Sequence, residues 1–264
     1  MTTPPPAPGI VPVRPDPVLA DLVMDAVHLA GLPLAHGGDG PGVDLLPAQP
    51  LHDDDHCDGL IALHWIPSAR LAAAAATERH QQPAHRAQQL VVNSVQHALT
   101  AFLPDLGAAA EQPFTLWEIR VAHGSAFPVE LASPPLPRPT GPAPVAPGIH
   151  PHITAAVRRS AALAGLPVAE RPGDPGIVLR PCPPLGIDDD TTGIPDLGWN
   201  PSRCLTATPG RAAWNPREAV QAAMRPALAT ALGACGLEAW WRKPEHIPTQ
   251  LRAYGPSTDQ PIRR

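Results

Sequence analysis

From Leu19 onward apolar residues recur at helical spacing. Leu19, Leu22, Val23, Ala26 and Leu29 fall on one face of a helix that starts after Pro17. Gly31 suits the left-handed residue that ends a helix, and Pro33 prevents continuation. Two short apolar runs come next, Val43–Leu46 behind the Pro41-Gly42 turn and Leu60–Trp65 behind Gly59, and both predict strands. Ala87, Val91, Val95, Ala98 and Phe102 form the buried stripe of a second helix, from near Pro83 to about Leu103. A last strand is predicted over Phe114–Val121.

The same pattern is written again 134 residues later. That displacement lays Pro17–Leu71 on Pro151–Leu205 without a gap, with 22 identities in 55 positions. Composition alone would give about four or five. Leu29-Ala30-Gly31-Leu32-Pro33 repeats as Leu163-Ala164-Gly165-Leu166-Pro167, and Pro41-Gly42 as Pro175-Gly176. Asp54-Asp55 repeats as Asp188-Asp189, and Trp65-Ile66-Pro67-Ser68 as Trp199-Asn200-Pro201-Ser202. The second copy therefore predicts a helix from Pro151 and a strand at Ile177–Leu179. Its next strand, Ile194–Trp199, is interrupted by Pro195 and Asp196, which suits an edge position or a degraded strand. Asn215-Pro216-Arg217-Glu218 has the chemistry of a helix start, with Asn215 as cap and Glu218 reaching back to the cap's N–H. Pro226 falls inside that helix and predicts a kink. Gln250–Tyr254 is the last strand, its Leu251-Arg252 resembling Ile119-Arg120.

The fold class is then α+β: a tandem duplication of a small helix-strand-strand-helix-strand unit, with helices on one face of a short sheet. A disordered proline-rich tail occupies 1–16, the first repeat 17–125, a proline-rich linker 126–149, the second repeat 150–256 and a flexible tail 257–264. Seven of the fifteen residues in Ser133–Pro147 are proline. Such a stretch favours polyproline II and would extend to roughly 45 Å at about 3.1 Å per residue.

Charge adds a difference between the halves. Up to Ser133 there are fourteen acids and five bases, net −9; from Pro134 onward ten acids and fourteen bases, net +4. Opposite signs favour contact between the repeats. Cys57, Cys182, Cys204 and Cys235 form no C-x-x-C pair, and reduced, mostly buried thiols are expected. The N-terminus lacks the charge and apolar run of a signal peptide, and no apolar stretch approaches the roughly 20 residues that span a bilayer. A soluble cytoplasmic protein without membrane partners is expected. The excess of Ala, Pro, Gly and Arg over Lys reads as the coding bias of a GC-rich bacterial genome.

Few residues suggest chemistry. In His52-Asp53-Asp54-Asp55-His56-Cys57-Asp58, the side chains of His52, Asp54, Asp55 and His56 are donors that a divalent metal would take. The second copy keeps only Asp188 and Asp189 of these, so an Asp-rich turn competes with the metal reading. Trp65 and Trp199, with Ser68 and Ser202, read either as a binding surface or as strand ends packed on the core with serine caps. No G-x-S-x-G elbow supports a serine nucleophile. Trp240-Trp241-Arg242-Lys243 joins aromatics to positive charge, a pattern that can grip single-stranded nucleic acid. Packing of one indole in the core and an interface role for Trp241 with Arg242 is the competing expectation.

No cofactor motif is present beyond that one candidate divalent-metal run. The functional expectation is a non-enzymatic binding or interaction protein whose two repeats pair within the chain as a homodimer would, with a protein partner. A metal-dependent hydrolase with a degenerate second repeat is the alternative, and single-stranded nucleic-acid binding through the basic half is the third.

Overall fold

In the computed structural model of the chain, the described residues are 15–35, 37, 39–48, 57, 59–77, 82–112, 118–124, 148–184, 189–205, 215–242 and 250–257. The first repeat runs α1 (Pro17–Ala30), β1 (Gly42–Pro47), β2 (Ile61–Ile66), α2 (Ala69–Thr77) and α3 (Pro83–Phe102). A 3-10 turn (Leu103–Leu106), β3 (Ala108–Glu111) and β4 (Ile119–His123) complete it. The second runs α4 (Pro151–Ala164), β5 (Gly176–Pro181), β6 (Pro195–Asn200), α5 (Pro216–Ala234), β7 (Leu237–Arg242) and β8 (Gln250–Pro256). The protein is thus α+β, with two similar halves. Each half holds a four-stranded antiparallel sheet, ordered β1-β2-β4-β3 and β5-β6-β8-β7.

The repeated register reaches the backbone. Gly42 pairs with Ile66 and Val43 with Trp65; Gly176 pairs with Asn200 and Ile177 with Trp199. Isolated parallel bridges join Pro15 to Gly59 and Ile149 to Gly193, again at equivalent positions. Each unit carries one strand more than the sequence predicts, because β3 and β7 precede the last strand. Ala108–Glu111 is an alanine run with little strand propensity, and Leu237–Arg242 has no alternation of apolar and polar residues to mark it as a strand.

Other differences have local causes. The strand holding Pro195 and Asp196 is not at an edge: β6 lies between β5 and β8, though its pairing with β8 is reduced to Asp196 opposite Arg252, where the first repeat pairs three positions. Pro195 stands at its first residue, where a missing N–H is tolerated. Asp196 replaces a ladder bond with its side chain, Oδ1 accepting from the Leu251 N–H at 2.9 Å. Helix α5 continues through Pro226, and its cap differs in detail from expectation. Asn215 Oδ1 accepts from the Arg217 N–H, while Glu218 Oε1 accepts from the Asn215 side-chain amide at 2.9 Å rather than from the backbone. The alanine-rich α2 has no apolar periodicity to predict it. Ser68 caps it, with Oγ accepting from the Leu71 N–H at 3.3 Å.

Buried apolar residues of both halves form one contiguous cluster. Strand residues at odd positions (Val43, Ile61, Leu63, Trp65, Ile119, Val121 and, in the second half, Ile177, Leu197, Trp199, Leu251, Ala253) meet the apolar stripes of the helices there. Helix α3 packs on α5, the most extensive contact between any two elements. Among the described residues no helix is long and apolar enough to cross a membrane.

At the ends of α1 and α4 the two halves exchange hydrogen bonds. The last four carbonyls of a helix have no partner within it. In α1 two are met locally: Gly31, in the left-handed conformation at φ 82°, donates to His28 O, and Leu32 donates to Val27 O. The other two are met from the second repeat. Ser202 N–H donates to Leu29 O at 2.9 Å, and Trp199 Nε1 to Ala30 O at 2.7 Å. The reciprocal set exists at α4. Ser68 donates to Leu163 O from its backbone N at 3.2 Å and from Oγ at 2.8 Å, and Trp65 Nε1 donates to Ala164 O at 3.0 Å. Both indoles are 2% exposed. The approach is close: a Cβ at Gly31 would stand 2.8 Å from Pro175 Cβ, and one at Gly165 2.6 Å from Pro41 Cβ. Glycine is required at both positions by its positive φ and by the space.

All four cysteines are free; Cys57, Cys182 and Cys235 are buried and Cys204 half-buried. Burial pushes the Cys235 thiol up to about 12.

Substitution of the indoles tests the exchange of bonds. Replacing either one, Trp65→Phe or Trp199→Phe, leaves a buried carbonyl without its donor. Each should destabilise the chain by about 1–3 kcal/mol in urea unfolding monitored by far-UV circular dichroism. A loss within about 0.5 kcal/mol for both, the size of an ordinary surface change, would show that the bonds carry no weight. For the thiols, alkylation of native protein at pH 8 should label Cys204 first. Cys235 should react only on unfolding, since its thiolate fraction is lower by about three orders of magnitude than that of an ordinary thiol.

Candidate functional site

The sequence-predicted residues separate into three groups. The proposed metal donors His52, Asp54, Asp55 and His56 lie outside the described residues. Among the described residues no three His, Cys, Asp or Glu side chains gather as a metal site would need. Trp65, Ser68, Trp199 and Ser202 lie at the helix-end contacts described above, their indole N–H groups and backbone donors engaged across the repeats. Trp65 and Ser68 reach the end of α4, and Trp199 and Ser202 the end of α1.

Trp241 and Arg242 form the third group, on β7 with Trp240. Core packing of one indole is not observed. Trp240 is 61% exposed and Trp241 41%. Strand β7 ends the sheet order, so its outer ladder edge is not covered by another strand of that sheet. A register shift between Glu238 and Ala239 interrupts the β7–β8 pairing at its start, after which Ala239, Trp240, Trp241 and Arg242 pair regularly with Ala253, Arg252, Leu251 and Gln250. Trp240 Nε1 donates to Glu238 Oε1 at 3.3 Å. Consecutive strand residues project to opposite sides, so the two indoles flank the edge rather than share one surface.

Inside the same sheet lies a polar cluster that sequence reasoning misses. Arg252, on β8, is 1% exposed. Its guanidinium makes a two-pronged pair with Asp189, Nη1 to Oδ1 at 2.8 Å and Nη2 to Oδ2 at 2.6 Å. Its Nε donates to Gln250 Oε1 at 3.1 Å, which also accepts from the Cys182 thiol at 3.0 Å. Burial raises the Cys182 thiol above its ordinary value, offset by the Arg252 charge. The signal is present in the sequence: Asp189 belongs to the repeated Asp pair, and Leu251-Arg252 to the repeated Ile119-Arg120. The first repeat has Arg120 at the equivalent position. Arg120 Nε stands 3.5 Å from Glu118 Oε1, and His64 Nε2 3.5 Å from Glu118 Oε2. Gln250 occupies the second-repeat position of Glu118, and Asp189, ahead of β6, supplies the carboxylate that meets Arg252. Arg252's described contacts serve to hold the segment at Asp189 against the sheet, which is a structural role.

A cleft lies close by, of about 230 Å³, between the first turns of α5 and the β5–β6 pair. Arg180, Gly198, Trp199, Glu218, Gln221 and Arg225 line it. Arg180 is exposed. Arg225 Nη2 stands 3.8 Å from Asp196 Oδ2, too far for a hydrogen bond. Burial pushes the Asp196 carboxyl up, against the pull of the Leu251 N–H and the charges of Arg225 and Arg180.

Removing the carboxylate from the buried pair tests the structural reading of Arg252. Asp189→Ala should cost about 3 kcal/mol in urea unfolding, because it strands a guanidinium in the sheet. A loss below about 0.5 kcal/mol, within the range of surface substitutions, would mean that water already serves that group. Comparison with protein-family models, with curated proteins and with solved structures finds no match to this chain.

Proposed function

We propose that the chain is a non-enzymatic binding protein whose repeats pair within one molecule, and whose second sheet receives an extended polypeptide along β7. The observation that carries the reading is the adjacent exposed indoles on an edge strand. An uncovered edge offers backbone donors and acceptors to any chain that can lie alongside it, and proteins ordinarily blunt such edges with charge, proline or a bulge. Here the bulge at Glu238/Ala239 blunts only the start of the strand. The rest of the strand presents two large aromatic groups that gain by leaving water. Strand addition uses both features: the ladder supplies affinity, and side chains flanking the edge supply selection.

The indole arrangement favours a polypeptide over single-stranded nucleic acid. Bases stack on a series of aromatic faces in one groove. Neighbouring residues of one strand face opposite ways and do not make such a series. Pairing of the repeats is supported by the reciprocal bonds at the ends of α1 and α4, which have the form of a two-fold interface: residue i meets residue j, and j's counterpart meets i's. The pairing would give β7 a rigid base.

The test is a screen of full-length protein against immobilised seven-residue peptides of alternating apolar and polar residues, with an oligo-dT strand alongside. Peptide binding is expected, and Trp240→Thr with Trp241→Thr should weaken it by at least about tenfold while leaving the circular dichroism spectrum unchanged, since both side chains are exposed. Binding of oligo-dT without any peptide, or peptide binding indifferent to both substitutions, would overturn the reading.

A further inference from the structure

We propose that the cleft between α5 and the β5–β6 pair is a binding site for a small ligand bearing an oxyanion, a phosphate or a carboxylate, held by Arg180 and Arg225. This goes beyond the edge-strand reading and does not rest on it. At about 230 Å³ the cleft is smaller than the roughly 300–1,000 Å³ typical of drug-sized ligands, so it suits a small molecule. Two guanidiniums line it, and neither is held by a described hydrogen bond, Arg225 making only a loose ion pair with Asp196. Arg180 makes no hydrogen bond or ion pair within the described residues and faces solvent. Arg225 has Asp196 for a neighbour but at 3.8 Å, so its N–H donors are not spent on that carboxylate. Planar N–H forks of this kind match the two oxygens of a carboxylate or phosphate edge. Gln221 adds an amide that can serve as donor or acceptor.

Comparison of the two repeats sharpens the inference. The strands align at the 134-residue displacement, and α5 aligns with α3 when Pro216 is laid on Pro83. The first-repeat counterparts of Arg180, Gly198 and Arg225 are then Leu46, His64 and Val92. Trp199, which belongs to the shared frame, is the same residue in both. Around the cleft the second repeat therefore carries Arg180 and Arg225 as added cations, Asp196 and Glu218 as added carboxylates where the first repeat has Ala62 and His85, and a glycine in place of His64. A Cβ at position 198 would meet only Val178 Cγ2, at 3.3 Å, a tight contact to which the valine side chain would have to yield by a few tenths of an ångström.

Glu218 gives the site a second pole. One of its carboxylate oxygens accepts from the Asn215 amide, and the carboxylate lines the same cleft. An acceptor near two cations suits a ligand that carries a hydroxyl or ammonium donor as well as its oxyanion. Phosphate monoesters of hydroxylated molecules and hydroxy or amino acids share that chemistry.

The experiment titrates full-length protein, ¹⁵N-labelled, with inorganic phosphate and separately with acetate at low ionic strength, monitoring amide shifts. Saturable shifts confined to residues around the cleft are expected for at least one anion. Phosphate alone would point to the phosphate class, and acetate alone to the carboxylate class. Arg180→Gln and Gly198→His, the second restoring the first repeat's residue, should each weaken binding by roughly tenfold or more, a difference of one decade in Kd. Arg159→Gln, an exposed arginine on α4 away from the cleft, should leave it unchanged. Shifts that stay linear for both anions, or saturable binding that neither Arg180→Gln nor Gly198→His weakens, would overturn the proposal. Equal weakening by Arg159→Gln would do so too, since it would mark general charge attraction.

Discussion

The structure depends on how two helices end. A buried helix terminus must find donors for its last carbonyls, and the cost of leaving one bare is about 1–3 kcal/mol. In α1 two of the four are satisfied by the glycine turn at its end; the other two take a serine N–H and an indole N–H from the second repeat. Helix α4 receives the same pair of donors from the first repeat. Neither terminus is complete without the other half. The contiguous apolar cluster and the α3–α5 contact are built around that exchange.

This exchange explains which residues the two copies share. Leu-Ala-Gly-Leu-Pro supplies the helix end and its left-handed glycine. Pro-Gly supplies the turn that comes within 2.8 Å of where a Cβ on that glycine would be. Trp-x-Pro-Ser supplies the donors. Each motif meets a different motif of the other copy, so a change in one copy is felt by both. The shared motifs of the two copies are the ones that meet at these helix ends.

Much of the fold is therefore legible. Periodicity marks α1, α3, α4, α5, β1, β2 and β5 to within a residue or two, and the left-handed glycines end the helices where expected. The elements that escape it are short or atypical: an alanine strand at Ala108–Glu111, an alanine helix at Ala69–Thr77, and a tryptophan pair whose strand looks like a loop. The pattern of one strand cannot say which element lies at an edge, and Pro195 points to an edge only while the partners of β6 are unknown. Long-range roles are less legible still. The repeat names Trp65 and Trp199 but cannot say that each reaches across to the other half. The Asp pair is visible, yet its pairing with an arginine 63 positions away is a tertiary fact. The cleft is invisible in the sequence, because its key feature is a missing side chain at Gly198.

A fused pair has a freedom that a symmetric homodimer lacks. In a homodimer every surface residue occurs twice, and any new site is duplicated with it. In one chain, the residues that close the two-fold contacts are constrained together while the rest can diverge. At the cleft and the β7 edge the unshared positions include Arg180 for Leu46, Gly198 for His64, Arg225 of α5 for Val92, and Trp240 at the β7 position that Glu111 holds on β3. None of these contributes to the helix-end exchange. Shared residues account for how the molecule stands, so chemistry that belongs to only one face has to be carried by the residues that only one repeat possesses.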